Sequence, residues 1–301
     1  MTTSDVFQLV TDRIVEQLSK GVVPWQRPWS MSSDHAAVNY VTRKVYSLLN
    51  QILLFEGGEY LTFKQCKALG GKIKKGAKAR MVVFYTTSST TKKKVVDEET
   101  GEETEITLTK LYDMPVLKAY HVFHIKDCEG IESKLTNVTE AEVYDTTPIE
   151  RAEKVINEYV GREKTLKFIN NQPSNRAYYS PISDEVRVPM ISQFQQAEEY
   201  YSTAFHELGH STGVPTRCNR QGEVDGLTYF GSKNYSREEL VAEMSSALLC
   251  NLTGIDTEKA FNNSVAYIDG WIKHLKDQKT AFVWAARRAE AAVKYIMDEQ
   301  Q

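Results

Sequence analysis

Hydrophobic residues recur at helical spacing from the start of the chain. Val6, Leu9, Val10, Ile14 and Leu18 mark one face of a helix, with Ser4-Asp5 as the expected cap and Gly21 as the stop. The segment GVVPWQRPW that follows has no period. Its prolines and tryptophans predict irregular backbone in which Trp25 and Trp29 either pack into a core or offer their faces to a base. Helical spacing returns in VYSLLNQILLFEG, closed by Gly57-Gly58, and in TFKQCKALGG, capped by Thr62 and stopped by Gly70-Gly71. MVVFYTT is β-branched and aromatic and reads as a strand, and TEITLTKLYDMPVLKAYHVFHI reads as two more. The polar stretch between them, with Glu99-Thr100-Gly101-Glu102 at its centre, predicts the tip of a mobile extended hairpin.

The period is lost over residues 128–150, which include Pro148, and a domain boundary is expected there. Beyond it the pattern predicts a capped helix in PIERAEKVINEYVG and strands in KTLKFIN and EVRVP. A long helix through FQQAEEYYSTAFHELGHSTG is expected to end at Gly213. Another, in SREELVAEMSSALLCNLTG, has Ser236 as cap and Glu239 at capping-box spacing. VAYIDGWIKHLK and TAFVWAARRAEAAVKYIMDE read as two closing helices. The expected fold class is α+β with two domains. Residues 1–130 form an α/β domain, 131–150 a linker, and 151–301 a mostly helical domain.

Composition narrows the class. With 41% hydrophobic and 26% charged residues in 301, the chain is neither disordered, collagenous nor membrane-spanning. No apolar run approaches the roughly 18 residues a bilayer requires. The net charge of −3 hides a split: residues 1–126 carry +5 and residues 127–301 carry −8. That asymmetry predicts modules with separate partners. The four cysteines, Cys66, Cys128, Cys218 and Cys250, form no CxxC pattern, and the first helix carries Asp5, Asp12 and Glu16, unlike a signal peptide. The expectation is a reduced, cytoplasmic protein with free thiols.

His206-Glu207-Leu208-Gly209-His210 fits HExxH. Residues four apart share a helix face, so two imidazoles can converge on one Zn²⁺. Glu207 can turn toward the open side and deprotonate a water there, and Gly209 leaves room beneath the metal. The extended pattern HExxHxxGxxH fails, because Thr216 stands where its last histidine belongs. A glutamate from the next helix is the alternative. Glu239 is taken as the third ligand and Glu243, one turn on, as an acceptor that orients a histidine. The reverse order is the other possibility. Glu238, about 100° round the helix, is expected to face solvent. Mn²⁺, Co²⁺ or Ni²⁺ can replace zinc on such donors.

Two further features admit two readings each. Residues 177–189 read as a hairpin, either purely structural or with an edge strand that pairs with an extended peptide. Tyr229 and Tyr235 either polarise a substrate carbonyl or sit on a surface loop. In the basic half, residues 60–94 hold ten Lys/Arg and no Asp/Glu: Lys64, Lys67, Lys72, Lys74, Lys75, Lys78, Arg80 and Lys92 to Lys94. Phe63 and Tyr85 are among the aromatics interleaved with them. Cations plus stacking faces suit sequence-tolerant single-strand binding, and a solvated face is the competing explanation. GGKIKKGAK lacks the Lys-Ser/Thr of a phosphate loop.

Together these segments resemble the ArdC family of antirestriction proteins over nearly the whole chain. The carriers are VFQLVTDRIVEQLSKGVVPWQRPW, NYVTRKVYSLLNQILL, YLTFKQCKALGGKIKKGAKARMVVFY and AYHVFHI, then FHELGHSTG, EELVAEMSSALL and AYIDGWIKHL. The stretch near 88–110 is longer and more charged than the family's usual hairpin. The resemblance implies an N-terminal domain that binds single-stranded DNA and a zincin-like metallopeptidase domain. It also implies plasmid, conjugative-element or phage origin and protection of incoming DNA from host restriction. It places His206 and His210 among the metal ligands, Glu207 at the catalytic position and the acidic ligand within EELVAE. Two alternatives stand beside it: a non-catalytic coat for single strands with a structural or vestigial metal, and a peptidase that cleaves a host regulator, with DNA binding for recruitment. Whether the chain is an enzyme stays open at this level, as does its peptide or protein substrate. No membrane partner is expected.

Overall fold

The structure, a computed structural model, describes residues 2–26, 36–96, 103–135, 147–220, 233–260 and 265–299. The first helix, α1 (Thr3–Leu18), buries Val6, Val10, Ile14 and Leu18. Its cap is Thr2 rather than Ser4-Asp5. The Thr2 hydroxyl accepts from the Asp5 amide at 3.2 Å while the Asp5 carboxylate accepts from the Thr2 amide at 2.6 Å. The two orphan amides are thus satisfied reciprocally, which places Asp5 inside the helix.

The α1 stripe does not stay within the N-terminal half. One hydrophobic cluster runs from Val6 through Trp25 and Tyr201 to Phe282 and Ile296. Trp25, in a short turn at Pro24–Gln26, is 1% exposed and meets Trp271 edge-on at 5.9 Å and Phe282 at 5.8 Å. It is a core residue, and its face is not available to a base. Trp29 lies outside the described residues.

The N-terminal sheet has the order β1-β2-β5-β4. Its strands are β1 (Ala37–Asn39), β2 (Gly58–Leu61), β4 (Arg80–Val96) and β5 (Glu103–His124). β1 and β2 run parallel and the other pairs antiparallel. The segment 103–124, expected as two strands, is one long strand paired with β4 across a register shift between Thr86 and Ser88. The expected hairpin tip at 99–102 lies outside the described residues. Helix α2 (Leu48–Leu54) covers this sheet. Helix α3 (Phe63–Ala68) starts at the expected Thr62 cap, closed by Gln65 in a capping box. A ribbon of β3 (Lys72–Ile73) and β6 (Cys128–Glu129) follows it.

The C-terminal half starts with α4 (Pro148–Arg162), capped by Thr147 and Glu150, and a small sheet of order β7-β9-β8. Its strands are β7 (Lys167–Ile169), β8 (Tyr178–Ser180) and β9 (Glu185–Arg187), so residues 178–187 do form a hairpin with β8 outermost. Helices α5 (Ala197–Ser211), α6 (Lys233–Thr253), α7 (Thr257–Ala260), α8 (Val265–Asp277) and α9 (Ala281–Ile296) complete the chain. α6 begins at Lys233, so Ser236 lies within the helix and is not its cap. A Cβ at Gly209 would stand 3.3 Å from both the Ala242 Cα and the Ser245 Cβ. That glycine therefore lets α5 press against α6, a packing role rather than the space beneath a metal expected for it. All four cysteines are free thiols, and among the described residues no helix is long and apolar enough to cross a membrane.

Candidate functional site

α5 carries His206 and His210 one turn apart on the side facing α6, and the close approach at Gly209 brings Glu239 of α6 up to them. The two Nε2 atoms lie 3.1 Å apart. One Glu239 carboxylate oxygen is 3.4 Å from His206 Nε2, and the other is 3.3 Å from His210 Nε2. Two ligands each 2.0–2.1 Å from a tetrahedral ion stand roughly 3.3 Å apart. The two-nitrogen, one-oxygen set thus fits a divalent cation of that size without rearrangement. Among the described residues this is the group of His, Cys, Asp and Glu side chains that could hold a metal ion.

The electrostatics agree with the geometry. Burial works to lower the proton affinity of His210, but contacts with Glu238 and Glu239 outweigh it and raise the pKa to about 10. For Glu239, burial raises the carboxyl pKa, and the two imidazoles overcome this and hold it below the usual carboxylate range. A centre that binds a proton this strongly is a region of negative potential, which also favours a cation.

The expected solvent position of Glu238 is not what the structure shows. Its carboxylate lies 3.6 Å from His210 Nδ1 and is gripped by Arg220, with Nε at 3.0 Å and Nη2 at 2.6 Å. Arg220 is 2% exposed and also donates to the Gly209 carbonyl at 2.8 Å and the Thr212 hydroxyl at 2.6 Å. Glu238 therefore takes the orienting position that had been expected for Glu243. Glu243 instead lines a cavity of about 270 Å³ beside His206, together with Gln26 and Tyr267. Among the described residues its Oε2 finds no hydrogen-bond partner, and burial raises its carboxyl pKa. Glu207 is 8% exposed, next in the helix to His206. Arg220 carries no periodic signal in the sequence, because it sits in the chain segment after α5. Tyr229 and the Tyr235 side chain lie outside the described residues.

In the N-terminal half, Lys64, Lys67, Lys72, Lys74, Lys75 and Lys78 are all exposed, on α3, β3 and the turn before β4. Phe63 is 59% and Tyr85 39% exposed. Arg80 is less available: it donates to the Tyr60 hydroxyl at 2.7 Å and to Glu56 at 2.8 Å. Trp25 is withdrawn into the core.

Two family profiles match. Residues 4–123 match the N-terminal domain of the anti-restriction factor ArdC, and residues 156–288 match a zincin-like metallopeptidase. DNA primase TraC of Escherichia coli is 30% identical over 97% of this chain, and the match spans 27% of TraC's own length. The metal-free crystal structure of the antirestriction protein ArdC from plasmid R388 is 27% identical. It superposes with a TM-score of 0.66 over 99% of this chain and 100% of that one. The Mn(II)-bound structure of the same protein is 25% identical, with a TM-score of 0.67 over 97% of each chain. With an ArdC-type N-terminal domain joined to a zincin-like domain that carries the histidine and glutamate cluster, the chain belongs to the ArdC-like antirestriction family.

Proposed function

We propose that this chain protects incoming plasmid or phage DNA from host restriction in the cytoplasm. On this reading it binds single-stranded DNA through residues 1–130 and holds a divalent metal on His206, His210 and Glu239 in a peptidase-type centre within residues 151–301. The observation that carries most weight is the 3.1–3.4 Å spacing of the three donors around one point. The Mn(II) held by the R388 protein supports a divalent ion here, and zinc suits the same donors. When bound, such an ion supplies Lewis-acid polarisation of a carbonyl and lowers the pKa of water. Glu207 then acts as base, taking a proton from the attacking water and returning it to the leaving amine of a peptide. Arg220 locks Glu238, and Glu238 fixes the His210 ring.

The single-strand reading rests on exposed lysines interleaved with the half-exposed aromatics Phe63 and Tyr85. Its test is a titration of the full chain with single-stranded DNA at several salt concentrations. Replacing Lys72, Lys74, Lys75 and Lys78 by Ala should weaken binding and flatten the log–log salt dependence by roughly 0.7 for each phosphate no longer neutralised. EDTA should leave the binding unchanged, because the metal donors lie in the other half. A four-lysine variant that binds like wild type at low salt would show that the run is only a solvated face.

A further inference from the structure

A second, larger cleft of about 790 Å³ lies between the N-terminal sheet and the last helix. Its floor includes Leu49, Val83 and Leu117, its walls are Tyr46, Phe84 and Tyr85, and Lys44, Arg287 and Lys294 stand around it. The size falls in the range of ligand clefts, roughly 300–1,000 Å³. Phe84 and Tyr85 are 47% and 39% exposed, a large apolar area to leave in water. Phe84 meets Tyr120, itself 45% exposed, at 5.6 Å and Tyr46 at 6.3 Å, so aromatic faces continue across the sheet.

The charges come from the other half of the molecule. The Arg287 guanidinium of α9 lies 4.4 Å from the Tyr85 ring centre and, among the described residues, forms no ion pair. The acidic group in the cleft, Glu290, is already engaged: it accepts from the Leu48 amide at 3.1 Å and pairs with Lys294 at 3.2 Å. An extended peptide cannot add to β4 at Val83, because the Asn50 amide already bonds both Val83 backbone groups, at 2.7 and 2.8 Å. What remains open is a stacking face beside a guanidinium, which suits a base and its phosphate. β4 connects this place to the basic segment. Arg80 and Tyr85 are five positions apart on one strand, roughly 17 Å at 3.3–3.4 Å per residue.

From this geometry we infer that the cleft is the part of the single-strand path where a nucleotide stacks on Phe84 or Tyr85, with its phosphate held by Arg287 of α9. The inference rests on the single-strand reading above and adds a contribution from the C-terminal half. Its test uses the full chain, fluorescein-labelled oligothymidylate, and the variants Phe84→Ala and Arg287→Ala. Both residues are at the surface, so both variants should melt like wild type. Phe84→Ala should bind roughly 5–150-fold more weakly with the salt slope unchanged. Arg287→Ala should bind more weakly with the slope lowered by roughly 0.7. Ultraviolet cross-linking of a 5-iododeoxyuridine strand should label Tyr46, Phe84 or Tyr85. If wild type and both variants bind alike while the four-lysine variant fails, this inference is wrong and the single-strand reading survives. Absence of single-strand binding by wild type would remove both. Competition by free thymidine monophosphate at concentrations comparable to the oligonucleotide would make the cleft a free-nucleotide pocket and overturn its place on the strand path.

Discussion

His206→Ala and His210→Ala should each abolish retention of a divalent metal. Equilibrated with Zn²⁺ or Mn²⁺ and desalted, wild type should keep about one ion per chain by elemental mass spectrometry, and neither variant any. Three protein donors converge here, so loss of one imidazole leaves a two-point site that water outcompetes. Glu239→Ala should weaken binding strongly for the same reason. Glu238→Gln should do less, on the order of 10–100-fold, because it touches only the far nitrogen of the His210 ring. If Glu239→Ala holds metal as wild type does and Glu243→Ala does not, the third ligand is Glu243.

Arg217→Met should destabilise the protein by about 3–5 kcal/mol, read as a fall in the urea midpoint, because it strands two carboxylates that are largely withdrawn from water. The Arg217 side chain is 1% exposed. It donates to Glu163 at 2.8 Å, to both oxygens of Asp184 at 2.9 and 2.7 Å, and to the Ser211 carbonyl at the end of α5 at 2.7 Å. It thus ties α4, the β8–β9 turn and the motif helix together. Arg217→Lys keeps the charge but loses the fork and should recover only part of the stability. Burial raises the Asp184 carboxyl pKa, but hydrogen bonds from Arg217, Thr165 and Tyr179 outweigh it and hold the pKa below its ordinary value. A carboxyl depressed on folding contributes stability that is present above its unfolded pKa and is lost as pH falls through the folded one. The gap between wild type and Arg217→Met should therefore be full near neutrality and narrow below about pH 4. A gap that widened in acid would contradict this role.

Local signals made much of this arrangement legible. The HExxH spacing puts both imidazoles on one face of α5, and counting along the next helix leads to Glu239, now found within 3.4 Å of both. Thr62 marked the start of α3, the β-branched and aromatic run MVVFYTT marked β4, and the strand-like KTLKFIN and EVRVP marked β7 and β9. What the sequence withheld depends on contacts between distant segments. Glu238 looked solvent-facing on an isolated helix. α6 lies so close to α5 at Gly209 that two neighbouring positions both reach the histidines, one at Nε2 and one at Nδ1. For Trp25 the sequence left packing and base stacking both open, and the rings that decide for packing, Trp271 and Phe282, come from the far end of the chain. Arg220 reaches Glu238 from an aperiodic segment that no spacing rule addresses.

The most direct test of the proposed centre is a peptide-library cleavage screen of metal-loaded wild type beside Glu207→Gln, with and without single-stranded DNA. Glu207→Gln keeps the shape of the side chain and every metal donor, so it should bind metal and DNA as wild type does. Loss of the general base should lower cleavage by about 10²–10⁴-fold. A Glu207→Gln chain that cleaves at the wild-type rate, or a wild type that binds metal and DNA normally and cleaves nothing, would contradict a hydrolytic role for this centre.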